Sequence, residues 1–281
     1  MRIGQVNRHA SESTKQGASE HGLANPVVSL NALTHRYSNG QLALNNVTFA
    51  IHTGECVAIV GPNGAGKTTL FLRLCGIFTG QPGQVRICGL DPAMSDERSR
   101  LPESVGIVFQ NPDDQLFSPT VLDDVAFGPL NLGETVEVAH LRARESLAAV
   151  GLGEIGERAP FQLSGGDKRR VALAGVLAMQ PAVLLLDEPT AFLDPRGRRD
   201  LIRLIQQLPG TKLIATHDLD LVVDLCSRVI VLDAGRVFAD GPTDQVLANS
   251  VLMDAHGLEV PYRLRRLGQN LQSLPASNIA Q

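Results

Sequence analysis

The run Gly61-Pro62-Asn63-Gly64-Ala65-Gly66-Lys67-Thr68-Thr69 constrains this chain more than any other segment. It is a complete G-x-x-x-x-G-K-[ST] phosphate loop. The apolar stretch ahead of it, Glu55 to Val60, reads as a buried parallel strand. Behind it Leu70, Phe71 and Leu74 recur at helical spacing. Strand, loop and helix in that order is the context the motif needs. Glycine lets the backbone wrap a phosphate and turn its N–H groups inward. The following helix presents its positive dipole end to the same anion. Lys67 is placed to reach the β- and γ-phosphates of a nucleotide, and the Thr68 hydroxyl to bind Mg²⁺.

With 281 residues the chain has room for one large domain or two small ones and for a substantial core. An apolar content of 43% fits a soluble globular protein, and a net charge of −4 gives no sign of a bulk nucleic-acid binder. No apolar run approaches the ~20 residues a membrane helix needs, and the start lacks the apolar core of a signal peptide. These features predict a protein that is cytosolic or peripheral on a membrane. The four cysteines, Cys56, Cys75, Cys88 and Cys226, form no C-x-x-C pair and sit in apolar stretches, so they read as small buried hydrophobes. The seven histidines show no metal-ligand spacing.

Residues 1–26 are polar and read as a mobile tail, with His9 and His21 as ordinary solvated residues. Order begins near Val27. A first strand through Tyr37 is broken by Ser38-Asn39-Gly40, and a second runs from Leu42 to Ile51. Tyr37 is either a stacking platform for a purine base or an ordinary strand-end aromatic. Gly83–Gly89 and Val105–Gln110 read as further strands, Val121–Phe127 as a short apolar stretch, and Glu134–Val150 as an exposed amphipathic helix. The section from about 111 to 163 reads as a helical insertion. Ser164 is a helix N-cap, followed by Gly165 and Gly166, which leave room for a phosphate or simply form a cap turn.

Ala182–Leu186 is a continuous apolar strand that delivers Asp187 and Glu188 at its C-terminal end, where open α/β sheets bind ligands. Asp187 suits Mg²⁺ and Glu188 suits the polarisation of an attacking water. A strand-end Asp-Glu that only solvates a loop is the bland alternative. Asp194-Pro195 opens another helix. Lys212–Thr216 is a strand ending at His217, a third strand end on the same side. Val229–Leu232 and Val237–Ala239 close as a hairpin, with a short helix after Pro242. Leu264, Leu267, Leu271 and Leu274 recur at helical spacing near the C-terminus, which suggests either a terminal helix packed on its own domain or a dimer contact.

Taken together the phosphate loop, Gln110, Leu163-Ser164-Gly165-Gly166, Leu184-Leu185-Leu186-Asp187-Glu188, Leu193-Asp194 and His217 resemble an ABC-type ATPase subunit from about Val27 to Val246. The resemblance implies a phosphate-loop α/β fold: a mixed-sheet core, an antiparallel β subdomain and a helical subdomain at about 111–180. Residues 247–281 would be a C-terminal helical extension. It further implies that Tyr37 stacks on adenine and that Gly61 to Thr69 hold ATP. Thr68, Gln110 and Asp187 would serve Mg²⁺, Gln110 would also reach the attacking water, Glu188 would be the general base, and His217 would contact the γ-phosphate. Ser164, Gly165 and Gly166 would close on ATP bound by the opposite subunit of a dimer, and Asp194 would cross the interface. Asn111–Phe117 and Asp124–Gly133 are similar to the energy-coupling-factor importers. Asp218-Leu219-Asp220-Leu221-Val222 and Ala255-His256-Gly257-Leu258-Glu259 are similar to the cobalt/nickel importer ATPases.

The resemblance thus implies a peripheral ATPase on the cytoplasmic face of the membrane, a homodimer, and transmembrane importer subunits contacted through Gln110–Phe117 and the helical section up to about Gly133. No nucleic acid is implied. A vitamin importer of the same type and a soluble ABC ATPase without transport remain the alternatives. Two departures stand out. Asp167 replaces the usual Gln, and would either repel the nucleotide or face away. Phe192 replaces a small residue before Leu193-Asp194 and would alter dimer packing.

Overall fold

The computed structural model describes residues 25–265; most of the predicted tail, with His9 and His21, and Leu267, Leu271 and Leu274 lie outside that range. Nine strands are described: β1 (Val28–Arg36), β2 (Leu42–Ile51), β3 (Cys56–Val60), β4 (Val85–Ile87), β5 (Val105–Val108), β6 (Val183–Asp187), β7 (Thr211–Thr216), β8 (Arg228–Asp233) and β9 (Arg236–Pro242). The helices are α1 (Lys67–Leu74), α2 (Ser95–Arg98), α3 (Val121–Asn131), α4 (Val136–Ala149), α5 (Gly165–Leu177), α6 (Pro195–Gln207), α7 (Leu219–Leu225), α8 (Thr243–Ala248) and α9 (Ser250–Ala255).

The main sheet has the order β5-β6-β7-β3-β8-β9, parallel except for β9, which pairs antiparallel with β8. A second, antiparallel sheet has the order β2-β1-β4. Period-two alternation explains how one sheet serves two cores. In β3, Val57 and Ile59 face the core shared with the small sheet and α1, whereas Ala58 and Val60 face the helical side. In β6, Val183 and Leu185 take the first side and Leu184 and Leu186 the second. Strands covered on both faces tend to read as apolar runs, as β3 and β6 up to Leu186 do, whereas β7 keeps Leu213, Ile214 and Ala215 between polar residues that are themselves buried.

Parallel pairing also puts the strand ends at one edge. Val60 lies opposite Thr216 and Asp187 opposite Ala215, so the residues after β3, β6 and β7 emerge side by side. Between β5 and β6, α3, α4 and α5 pack on one another through Val121, Val125, Ala139, Ala143, Leu147 and Leu173, all buried.

Several expectations need correction. The apolar stretch at Val121 is an eleven-residue helix, α3, capped by Thr120, which accepts from the Asp123 amide. The predicted Gly83–Gly89 strand shrinks to Val85–Ile87, and β5 stops at Val108, which leaves Gln110 on the loop beyond it. Cys88 is exposed, unlike the buried hydrophobe expected. Cys56 and Cys226, distant in sequence, meet with their sulfurs 3.6 Å apart. No helix among the described residues is long and apolar enough to cross a membrane.

Candidate functional site

The phosphate loop turns back under β8 so closely that a Cβ on Gly61 would lie 1.8 Å from the Leu232 carbonyl oxygen. Gly66, the α1 N-cap, holds φ +107 and sits against the Ala43 carbonyl, 2.6 Å from where a Cβ would be. Both positions exclude a side chain on steric grounds. They fix the loop so that Lys67 begins α1 beneath it. Its Nζ donates to the carbonyls of Gly61 (2.7 Å) and Pro62 (3.1 Å). Burial lowers the Lys67 pKa, and the charges of Glu188 and Asp187 pull it back up.

Asp187 ends β6 and accepts a hydrogen bond from the Thr68 hydroxyl at 2.8 Å. Burial pushes its pKa up; the Thr68 bond lowers it, the neighbouring Glu188 charge raises it, and Lys67 lowers it. A folded-state pKa above the unfolded one means that stability from this group is fully present below the ordinary value of 3.8 and is lost as pH rises through the folded value. At neutral pH the Asp187 carboxylate therefore works against the nucleotide-free fold. Asp187→Asn should raise the Tm of the nucleotide-free protein by a few degrees at pH 7 and flatten the loss of stability above pH 4. Thermal unfolding across that range checks it; a lower Tm at pH 7 would show the carboxylate to be net stabilising.

Glu188 follows with φ +46, a left-handed backbone uncommon for a residue with a side chain. Its carboxylate is almost wholly buried and is held at both oxygens. Oε2 accepts from the Thr216 hydroxyl at 2.9 Å, and Oε1 accepts from the His217 amide at 3.1 Å and lies 2.8 Å from His217 Nδ1. Asp218 caps α7 and grips the Arg198 guanidinium at 2.8 and 3.0 Å; Thr190 donates to the same carboxylate. Burial pushes Asp218 up, but Arg198, the Leu221 amide and Thr190 outweigh it and leave its carboxyl below the usual range.

Tyr37, Asn63 to Thr69, Gln110, Asp187, Glu188 and His217 line one cavity of about 350 Å³, with Gly61 and Pro62 on its outer shoulder. The Tyr37 hydroxyl is bonded to the Thr69 hydroxyl at 2.7 Å, and its ring meets Phe78 edge-on. Ser164, Gly165 and Gly166 lie elsewhere, on a second cavity of about 560 Å³ with Phe192 and Asp194. Within one chain the two clusters do not meet.

Ser164 caps α5 by accepting from the Asp167 amide (3.1 Å) and donates to Asp167 Oδ2 (2.8 Å). Arg170 holds Oδ1 at 2.5 Å. Asp167 thus accepts from the capping hydroxyl itself and has its own cation, so its charge is locally answered. Phe192 is 92% exposed with φ +62, beside Asp194, the N-cap of α6. Thr216, Arg169, Arg198 and Thr190 escaped sequence reasoning. Thr216 alone carried a signal, as the last residue of the strand that precedes His217.

The family model for ABC transporters matches residues 44–191. The energy-coupling factor transporter ATP-binding protein EcfA of Methanoculleus marisnigri is 46% identical over 234 residues, which is 82% of this chain and 84% of that one. The structure of cbiO1 from Clostridium perfringens, part of the ABC transporter complex cbiONQ, matches with TM-score 0.73 and 37% identity over 89% of this chain and 100% of its own. A dimeric post-hydrolysis state of the ATP-binding cassette MJ0796, bound to ADP and Pi, matches with TM-score 0.69 and 30% identity over 77% of this chain and 98% of its own. Phosphate loop, Gln110, capped glycine pair and strand-end carboxylates fall within residues 44–191, and the chain belongs to the ABC transporter family, as an ATPase cassette of a transporter.

Proposed function

We propose that this chain is the ATP-hydrolysing subunit, on the cytoplasmic face, of a membrane importer of the energy-coupling-factor kind, with cobalt or nickel as cargo. The observation that carries the reading is the meeting of Lys67, Asp187, Glu188 and His217 around one phosphate loop. Tyr37 offers its ring to the adenine, and the amides of the loop take the phosphates. The Thr68 hydroxyl, the Asp187 carboxylate and the Gln110 amide oxygen are hard donors that fit Mg²⁺, with nucleotide oxygens completing the shell. The raised pKa of Asp187 supports this fit, because a cation would relieve a buried carboxylate. Bound Mg²⁺ supplies charge neutralisation on the phosphates.

Glu188 accepts the proton of the attacking water. Thr216 and the His217 amide hold its carboxylate still, which spares reorganisation during the reaction. His217 has its side chain 65% exposed on the cavity rim, where it contacts the γ-phosphate. Gln110, on the loop after the neighbouring strand β5, orients the water.

The site is completed by a second copy. Glycine at the start of a helix costs stability, yet a Cβ on Gly165 would meet nothing within 4 Å, and one on Gly166 would meet only Leu193 and Ser164, at 3.9 and 4.0 Å. The room at α5 serves nothing in this chain and suits an ATP held by the partner. Gly165→Asp tests this with opposite signs. An acidic residue in the first helical turn favours the isolated subunit by about 0.3–1 kcal/mol. The same charge should weaken the ATP-driven dimer about tenfold, as an uncompensated repulsion of about 1.4 kcal/mol would. Thermal unfolding and light scattering with ATP read the two effects, and an unchanged dimer would place the signature elsewhere.

The cargo reading rests on the likeness of Asp218–Val222 and Ala255–Glu259 to cobalt/nickel importer ATPases. His256 itself is engaged, bonded to Asp233 at 2.9 Å and packed on Phe238, so it pins α9 to the β8–β9 hairpin. Choice of ion then belongs to the membrane partner. Deletion of this subunit should abolish high-affinity uptake of radiolabelled cobalt or nickel; loss of vitamin uptake with metal uptake intact would overturn the cargo reading.

A further inference from the structure

Arg169 is the fifth residue of α5, 4% exposed, within a charged run that would ordinarily face water. Its guanidinium touches no carboxylate oxygen. Nη1 donates to the carbonyls of Glu188 and Pro189, both at 2.7 Å, and Nη2 to the carbonyl of Gln110 at 2.8 Å. Nε is buried without a partner. A buried cation with only neutral acceptors is costly, because nothing repays its lost hydration in full. What it gains is a rigid fork whose donors fix several acceptors at once.

The three acceptors are informative. Glu188 and Pro189 form the turn in which Glu188 holds φ +46, and Gln110 lies on the loop after β5, the strand paired with β6, and lines the same cavity. The helix that carries Arg169 begins at Ser164, Gly165 and Gly166. One side chain therefore ties the helix of the glycine pair to the backbone of both residues that flank the attacking water. A second link between the same elements, Lys168 to Asp113 at 2.7 Å, has Asp113 61% exposed. Exposed ion pairs hold little, so the buried fork carries the connection.

We propose that Arg169 is a positioning residue for ATP hydrolysis. It holds the Glu188 carboxylate and Gln110 in working geometry and transmits the seating of α5 against a second copy to both. The inference rests on Glu188 as general base. It touches neither nucleotide nor water itself.

Arg169→Gln and Arg169→Lys in the full chain test it, beside Glu188→Gln and the Glu188→Gln/Arg169→Gln double variant. Displacing a base by about 1 Å costs on the order of 100-fold, so Arg169→Gln should lower kcat at least about 30-fold. MgATP affinity and KM should stay within about threefold, since the phosphate loop is untouched. Arg169→Lys, with the charge but not the fork, should fall between Arg169→Gln and wild type. In the Glu188→Gln background the further loss from Arg169→Gln should be well below about 30-fold, confined to the share that runs through Gln110, because the rest acts through Glu188; a further loss of about 30-fold would overturn the proposal. Wild-type kcat in Arg169→Gln, or equal parallel losses of kcat, MgATP affinity and thermal stability in both single variants, would overturn the proposal. If Arg169→Gln does not fold, Arg169→Lys decides by the same criteria. Failure of both to fold would overturn it in favour of a purely structural role. Wild-type turnover in Glu188→Gln would instead remove the base assignment, whatever Arg169 does.

Discussion

Replacing Glu188 by glutamine is expected to lower ATP turnover by about 10²–10⁴-fold, the range a general base contributes, while nucleotide affinity changes little. The site accepts the amide without rearrangement. With the amide oxygen toward the His217 N–H, the amide nitrogen faces the Thr216 hydroxyl, which can accept as readily as donate. Volume and buried hydrogen bonds survive, and only basicity is lost. A dimer that closes on ATP and cannot hydrolyse it should then accumulate, and light scattering of the variant with MgATP should show it while the wild type cycles back to monomer. Steady-state turnover and equilibrium MgATP binding check the first part. A variant that hydrolyses ATP at the wild-type rate would remove Glu188 from the base role and turn attention to His217, whose ring lies 2.8 Å from that carboxylate.

The contrast between Glu188 and Arg169 explains how much could be read from residue order alone. The phosphate loop, the strand-end Asp187 and Glu188, the Ser164 cap and His217 are all announced locally. Each sits at the end of a strand with an apolar run or the start of a helix, and parallel strands then bring the strand ends together. Arg169 is announced by nothing. It lies in Asp167-Lys168-Arg169-Arg170, which has the look of a solvated face, and its acceptors are backbone carbonyls 19, 20 and 59 residues away. Backbone groups carry no sequence signature, so a buried cation that binds them stays invisible until the chain is folded. The Arg198–Asp218–Thr190 cluster escaped for a related reason: its three residues lie apart in the chain, and only folding brings them together.

Helix α3 was hidden by its outer face. A surface helix is recognised by a polar outer face, and α3 has an apolar one. Val121, Leu122, Val125 and Ala126 are buried, yet Phe127 and Leu130 on the other side are 47% and 38% exposed. Pro129 inside the helix and the short length added to the disguise. An exposed apolar helix face marks a place where another molecule sits, so the feature that obscured the helix is the one that gives it meaning.

Transport should therefore be separable from ATP hydrolysis at α3 and the loop before it. Phe117 is 65% exposed and meets Phe127 edge-on, with ring centroids 4.8 Å apart. Phe117 is not packed inside the chain. Asp124, buried, holds its loop by accepting from the Phe117 and Ser118 amides at 3.0 and 2.8 Å. Beside the pair lies a groove of about 440 Å³ lined by Leu116, Leu132, Val176 and Met179, with Asp114 and Gln115 at its polar rim. The Gln115 side chain is fastened to the backbone of Phe109 and Ile107, which join it to Gln110 at the nucleotide. Two aromatic anchors over an apolar groove with an acidic rim are the makings of a hot spot for a basic, apolar helix of a membrane subunit. Asp113 is a poor probe of it, because its ion pair with Lys168 would turn into a repulsion on reversal. Phe117→Ala with Phe127→Ala is the better one. Phe117 is mostly and Phe127 about half in water in the free subunit, and neither belongs to its buried core, so folding should survive and basal ATPase activity should stay within about a factor of two. Loss of two anchors worth about 2 kcal/mol each should weaken assembly with the transmembrane subunit about 10²–10³-fold. Co-purification and metal uptake should fail together while the isolated subunit still hydrolyses ATP. Normal assembly of the double variant would put the membrane contact on another face, and loss of isolated ATPase activity would make the aromatic pair part of the fold instead.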